Sequence, residues 1–151
     1  MWLFPRGAGG KLVAGQPFEW GWNAFVDIVA PGDFDSDRNS DLLARDAYGG
    51  LWFYKGAGNG RLVQEPGVRI DSGWNIFSYL VTPGDFDGDG KPDLIGVKGD
   101  GTLWLYKGTG AGRLQPTPGV LIDSGWHIFQ EIFSPGDFDR DGAADLLARK
   151  P

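Results

Sequence analysis

Apolar residues in this chain come in short, nearly unbroken runs, such as LWFY (51–54), IFSYLV (76–81) and LWLY (103–106), separated by stretches rich in glycine and aspartate. No segment repeats its apolar positions with the 3.6-residue period of a helix, whereas runs of this length bounded by turn residues read as strands. In the best-formed stretch the pattern predicts four strands, at 76–86, 93–98, 103–107 and 119–123. They are joined by an Asp/Gly loop, a GDG turn and a Gly-rich loop. Runs that do not alternate with polar residues imply sheets covered on both faces.

The same unit occurs three times. GDFDSDRNSDLLAR (32–45), GDFDGDGKPDLIGV (84–97) and GDFDRDGAADLLAR (136–149) are spaced by 52 residues, and WGWNAF (20–25), SGWNIF (72–77) and SGWHIF (124–129) keep the same step. LWFYKGAGNGRL (51–62) and LWLYKGTGAGRL (103–114) repeat as well. The opening MWLFPRGAGGKL is a third copy of that segment, followed by a deletion of two residues. A repeat of this length, four strands long, is the signature of a β-propeller blade, each blade covering the next. A β-trefoil is the alternative on length alone, but its strands tend to alternate and it has no need of an acidic loop.

Composition narrows the partners. Glycine and proline are abundant, yet aromatics reach 14%, which separates this chain from disordered sequences. The net charge of −6 and the absence of clustered Lys and Arg exclude a nucleic-acid-binding class. No apolar run approaches the ~20 residues of a membrane span, and the first residues lack the pattern of a signal peptide. With no cysteines there is neither a disulfide framework nor a thiolate metal site.

The acidic residues are concentrated where the repeat is strictest. Each copy carries D-x-D-x-D-x-x-x-D: Asp33, Asp35, Asp37 and Asp41; Asp85, Asp87, Asp89 and Asp93; Asp137, Asp139, Asp141 and Asp145. Four carboxylates within nine residues repel one another unless a cation lies among them, and Ca²⁺ takes six to eight hard oxygens. Side chains at positions 1, 3, 5 and 9 and the backbone carbonyl at position 7, from Asn39, Lys91 or Ala143, make up such a shell. Glycine at position 6 eases the turn in Gly90 and Gly142, where the first loop has Arg38. Asp and Gly also favour plain turns, but three copies in register favour a metal. A strand follows each loop, so it joins a hairpin and is not an EF-hand.

At these residues the chain resembles the FG-GAP/VCBS repeat family, most specifically in DFDGDGKPDL (85–94); Arg38 and the two-residue deletion depart from the pattern. The resemblance implies four-stranded blades with calcium between the first two strands. It further implies a role in adhesion or in carbohydrate or protein binding, as in integrin α-chain propellers and secreted bacterial proteins. The resemblance does not by itself imply an activity.

Divided at the strand before each acidic loop, the chain holds two blades, 23–72 and 75–124, flanked by outer strands (1–22) and inner strands (127–151) of a shared blade. Three blade-equivalents are too few to close a ring. The expectation is therefore a head-to-tail homo-oligomer, with two chains giving six blades favoured over three giving nine; a segment cut from a longer propeller is the competing reading. Catalysis is not expected, because the single histidine, His127, stands where the other copies have Asn23 and Asn75, and nothing supplies a nucleophile with a base. A lectin is the second functional reading: Trp22, Trp74 and Trp126, each followed by Asn or His, suit stacking on sugar rings. Packing of those indoles between blades is the competing explanation. Calcium loops of low affinity suit the extracellular setting, which is the expected location.

Overall fold

The computed structural model describes residues 1–18, 21–63 and 66–151. The chain is all-β, with helical structure among the described residues limited to short 3₁₀ turns. Strands β1 (Trp2–Leu3) and β2 (Gln16–Pro17) pair with each other. A four-stranded antiparallel sheet follows, in the order β3 (Phe25–Gly32), β4 (Asp41–Asp46), β5 (Leu51–Tyr54), β6 (Val68–Asp71). The next sheet repeats it as β7 (Phe77–Gly84), β8 (Asp93–Lys98), β9 (Leu103–Tyr106) and β10 (Val120–Asp123), and β11 (Glu131–Gly136) pairs with β12 (Asp145–Arg149). This simple up-and-down order, stacked sheet on sheet, is that of propeller blades and not of a trefoil, and no ring closes within the chain.

The strand expected over 76–86 is shorter than the pattern suggests. It stops at Gly84, whose φ of 86° turns the backbone into the acidic loop. Registers in the two complete blades agree residue for residue: Ala44 lies opposite Trp52 and Gly96 opposite Trp104, so a small residue faces each indole. The first strands of successive blades, β3, β7 and β11, lie side by side.

The apolar core lies between blades. Phe34, Leu43, Leu51 and Phe53 of the first blade meet Trp74, Phe77, Leu80 and Leu94 of the second. A second cluster joins Val81, Ile95, Val97 and Leu103 to Ile132 of β11. The second strand β8 is buried on both faces, as unbroken apolar runs predict. The first strands differ, because β3 alternates and leaves Val26 and Ile28 exposed. Coverage on both faces therefore holds for the middle of a blade but not for its inner edge.

A 3₁₀ turn leads into each first strand: Trp22–Ala24, Trp74–Ile76 and Trp126–Ile128. The second and third turns also dock on the preceding blade, where the Trp74 and Trp126 N–H groups donate to the carbonyls of Gly49 and Gly101 at 3.0 Å. Between the first two blades Arg45 adds a polar clamp. Its buried guanidinium pairs with Asp27 and donates to the carbonyls of Trp74, at 2.8 Å, and Phe77. Val97, buried and apolar, takes the equivalent place in the second blade.

Candidate metal centre

The loop between the first two strands of each unit folds around its own carboxylates. Asp33 accepts the backbone N–H groups of Asp37 and Arg38 at 2.9 and 2.8 Å, and Asp85 accepts those of Gly88 and Gly90 at 2.9 and 2.8 Å. These bonds coil the loop so that side chains converge. Oxygens of three carboxylates lie within 4.8 Å of one another in every copy: Asp33, Asp35 and Asp37; Asp85, Asp87 and Asp93; Asp137, Asp139 and Asp145.

The grouping differs in detail from the sequence expectation. Position 5 joins the cluster only in the first loop, and position 9 only in the other two, so Asp41, Asp89 and Asp141 stand outside. Asp41 has a different task. Its Oδ2 accepts the Phe34 N–H at 2.8 Å and its Oδ1 the Gly56 N–H at 2.8 Å, which ties the loop to the end of the third strand. Asp93 repeats this stitch with Phe86 and Gly108 at 2.9 Å each. Burial pushes the carboxyls of Asp41 and Asp93 above the usual carboxylate range, opposed by those same N–H donors.

Position 7 shows local bonds of its own. Asn39 bonds Asp37 through its backbone N–H at 2.8 Å and its side chain at 3.1 Å. The Lys91 ammonium lies 3.2 Å from Asp89, and the Ala143 N–H donates to Asp141 at 2.8 Å.

Two lysines that pattern reading passed over complete the electrostatics. Lys55, at the end of LWFYK, pairs with Asp35 and lies 2.7 Å from Asp37; Lys107, at the end of LWLYK, lies 2.6 Å from Asp87. The Lys55 ammonium lowers Asp37 to about 2, and the carboxylates in turn raise the lysine. Lys107 likewise depresses Asp87. Their signal in the sequence was a lysine 20 residues beyond the second aspartate of its loop, in both complete blades.

The donor set fits a hard divalent cation. Each cluster is all oxygen, as Ca²⁺ prefers. One oxygen of the first cluster, Asp35 Oδ1, is buried with no partner. A buried carboxylate oxygen without a donor is costly, and a cation among these three residues would satisfy it.

The tryptophan sites come out otherwise than the lectin reading requires. Trp22 and Trp74 are 6% and 2% exposed, packed against Tyr54 and Tyr106 respectively with ring centroids 4.6 Å apart in both cases, so neither offers a face to a sugar. Trp126 is half-buried, with its indole N–H on Asp123 at 2.8 Å and its ring against Phe129. Asn23, Asn75 and His127 are exposed on their turns. Trp20, the first residue of the WGWNAF copy, lies outside the described residues. Pattern reading also missed a groove of about 780 Å³ between the first and second blades, lined by Asp71, Lys98, Trp104, Tyr106 and Arg113, with the Lys98 ammonium 4.3 Å from the Trp104 ring centroid.

Stacked four-stranded sheets with an acidic hairpin loop in each unit define a propeller-type repeat module. The family model for the FG-GAP-like repeat matches residues 33–96 and 85–148, and the chain belongs to that family. A comparison with curated proteins finds no match to the chain.

Proposed function

We propose that this chain is a non-catalytic, calcium-binding propeller module that assembles with copies of itself into a closed ring and serves as an extracellular scaffold for binding or adhesion. The observation that carries the reading is the convergence of three carboxylates in every hairpin, in the same place relative to the first two strands. Asp33, Asp35, Asp37, Asp85, Asp87, Asp93, Asp137, Asp139 and Asp145 would hold the ions. Carbonyls at Asn39, Lys91 and Ala143 would complete the shells, and Asp89 and Asp141 would join through water. A bound cation neutralises the cluster and pins two neighbouring strands; its role is structural. The sheets β1–β2 and β11–β12 hold two strands each where the other two sheets hold four, which supports assembly. Membership of the family supports an extracellular setting, where millimolar calcium would fill weak sites.

The test is calcium titration by calorimetry together with the native mass with and without chelator. Binding of about one ion per loop, with a melting temperature that drops on chelation, is expected. Absence of binding, or identical melts, would refute the metal reading.

A carbohydrate-binding reading keeps one footing, the groove beside Trp104 and Tyr106, whose aromatic and charged lining suits a sugar. A glycan array with Trp104→Ala as control tests it. Binding to no glycan retires it.

A further inference from the structure

We infer that the interface between copies is a specific intermolecular blade, in which β11 and β12 of one chain take β1 and β2 of a second as their third and fourth strands. The inference rests on the assembly proposed above and names its joint. The complete blades show what each unpaired group meets when its neighbour is present. Leu51 and Leu103 pair with β4 and β8 and are fully buried, whereas Met1, in the same repeat position, is 43% exposed. Trp2 and Phe4 beside it are also exposed. Phe34 is fully buried against the four-stranded sheet that follows it, Phe86 is half-buried beside the two-stranded sheet, and Phe138, within that sheet's own loop, is 67% exposed.

The second anchor is polar. Arg149 repeats Arg45, and Glu131 repeats Asp27; the pair sits at 3.0 Å on the surface. Arg45 clamps the Trp74 and Phe77 carbonyls of the following turn. The matching carbonyls, Trp22 and Phe25, receive no side-chain donor among the described residues. Carried over, the internal register sets Ala148 opposite Trp2 of the second copy, as Ala44 faces Trp52 and Gly96 faces Trp104, and lets Arg149 reach the turn at Trp22.

One residue opposes this fit. Gly56 and Gly108 pass so close to the second strand that a Cβ there would lie 2.0 Å from the carbonyl oxygens of Ser40 and Pro92. Arg6 occupies their repeat position, as the shared bridges Arg6 to Leu12, Gly56 to Leu62 and Gly108 to Leu114 show. Its Cβ meets the Ala144 carbonyl, which spreads the joint and weakens it. Arg6 thus sets the strength of association, while Phe138 and Arg149 set its direction.

Sedimentation equilibrium over a range of concentrations, in calcium, tests this with the whole chain. Arg6→Gly should tighten association by ~10–100-fold. Phe138→Ser should weaken it by ~100-fold and Arg149→Ala by ~10–100-fold. Monomer melting with Arg149→Ala should barely move, since an exposed pair adds little. Because the chain has no cysteine, Trp2→Cys with Ala148→Cys provides an independent reading: oxidation should give covalent oligomers faster than Trp2→Cys with Leu146→Cys. If every variant, Arg6→Gly included, stays monomeric, self-assembly itself is wrong. If the chain assembles but Phe138 and Arg149 are neutral and the two cysteine pairs cross-link alike, assembly stands and this joint is overturned.

Discussion

Replacing Ser36 and Arg38 by glycine should stabilise the chain, a result the pattern of backbone angles makes quantitative. In the second loop positions 4 and 6 are Gly88 and Gly90, with φ of 80° and 84°; in the first loop the same left-handed conformations are forced on Ser36, at 63°, and Arg38, at 74°. A Cβ built at Gly88 or Gly90 meets nothing within 4 Å, so at these two positions a substitution acts through backbone conformation and not through crowding. A left-handed L-residue costs about 1–2 kcal/mol, and glycine returns roughly 0.4–1 kcal/mol of that as entropy of the unfolded chain. The net gain is ~0.5–1 kcal/mol per position, or ~1–2 kcal/mol for both. For a chain of this size that raises the melting temperature by roughly 2–8 °C. The assay is thermal and denaturant unfolding in chelator, where bound ions cannot mask the difference. Gly90→Ala is the mirror experiment and should lose a comparable amount. Ser36→Gly/Arg38→Gly melting at or below the parent, with Gly90→Ala unchanged, would refute the reasoning.

Three further outcomes follow from the same contacts. Gly108→Ala, whose new methyl would sit 2.0 Å from the Pro92 carbonyl, should force β8 and β9 apart and cost ~3 kcal/mol in denaturant unfolding; a change well under 1 kcal/mol counts against the close approach. Lys55→Met should raise calcium affinity at the first loop up to roughly fivefold in calorimetry, because the ammonium that competes with the ion is gone; unchanged or weaker affinity contradicts that role. Asp46 accepts the Trp52 indole N–H at 2.7 Å, and that bond holds its carboxyl below the usual range. A depressed folded value means its contribution is complete above about pH 4 and fades as pH falls through the folded pKa. The stability gap between the parent and Asp46→Ala should therefore narrow on acidification, and a gap constant with pH shows the bond does not act this way.

Much of the fold was legible because the repeat says the same thing three times. The 52-residue step, the apolar runs and the glycine punctuation together specify four strands per unit, and the stacked sheets have that order. The carboxylate clusters were legible for the same reason. What escaped depends on distances that adjacency in sequence does not encode. Asp41 and Asp93 look like any other member of the acidic run, yet their oxygens are engaged by N–H groups 15 residues further along the chain, on Gly56 and Gly108. Trp22 and Trp74 admit two readings, packing between blades ahead of exposed platforms, because a lone aromatic after glycine carries no sign of which blade will cover it. The alternation on β3 was invisible in IFSYLV because that run covers the turn residue Ile76 and the start of β7, and its apolar residues include Tyr79, itself 42% exposed.

Arg45 and Val97 occupy one structural position and make two unlike seams. The first seam is stitched through two carbonyls that a single guanidinium holds together; the second is an apolar contact that depends on shape. Units so alike in sequence have therefore ceased to be exchangeable parts. Shuffling their order would set a cation into an oily seat, or leave two backbone oxygens waiting for a donor that never arrives.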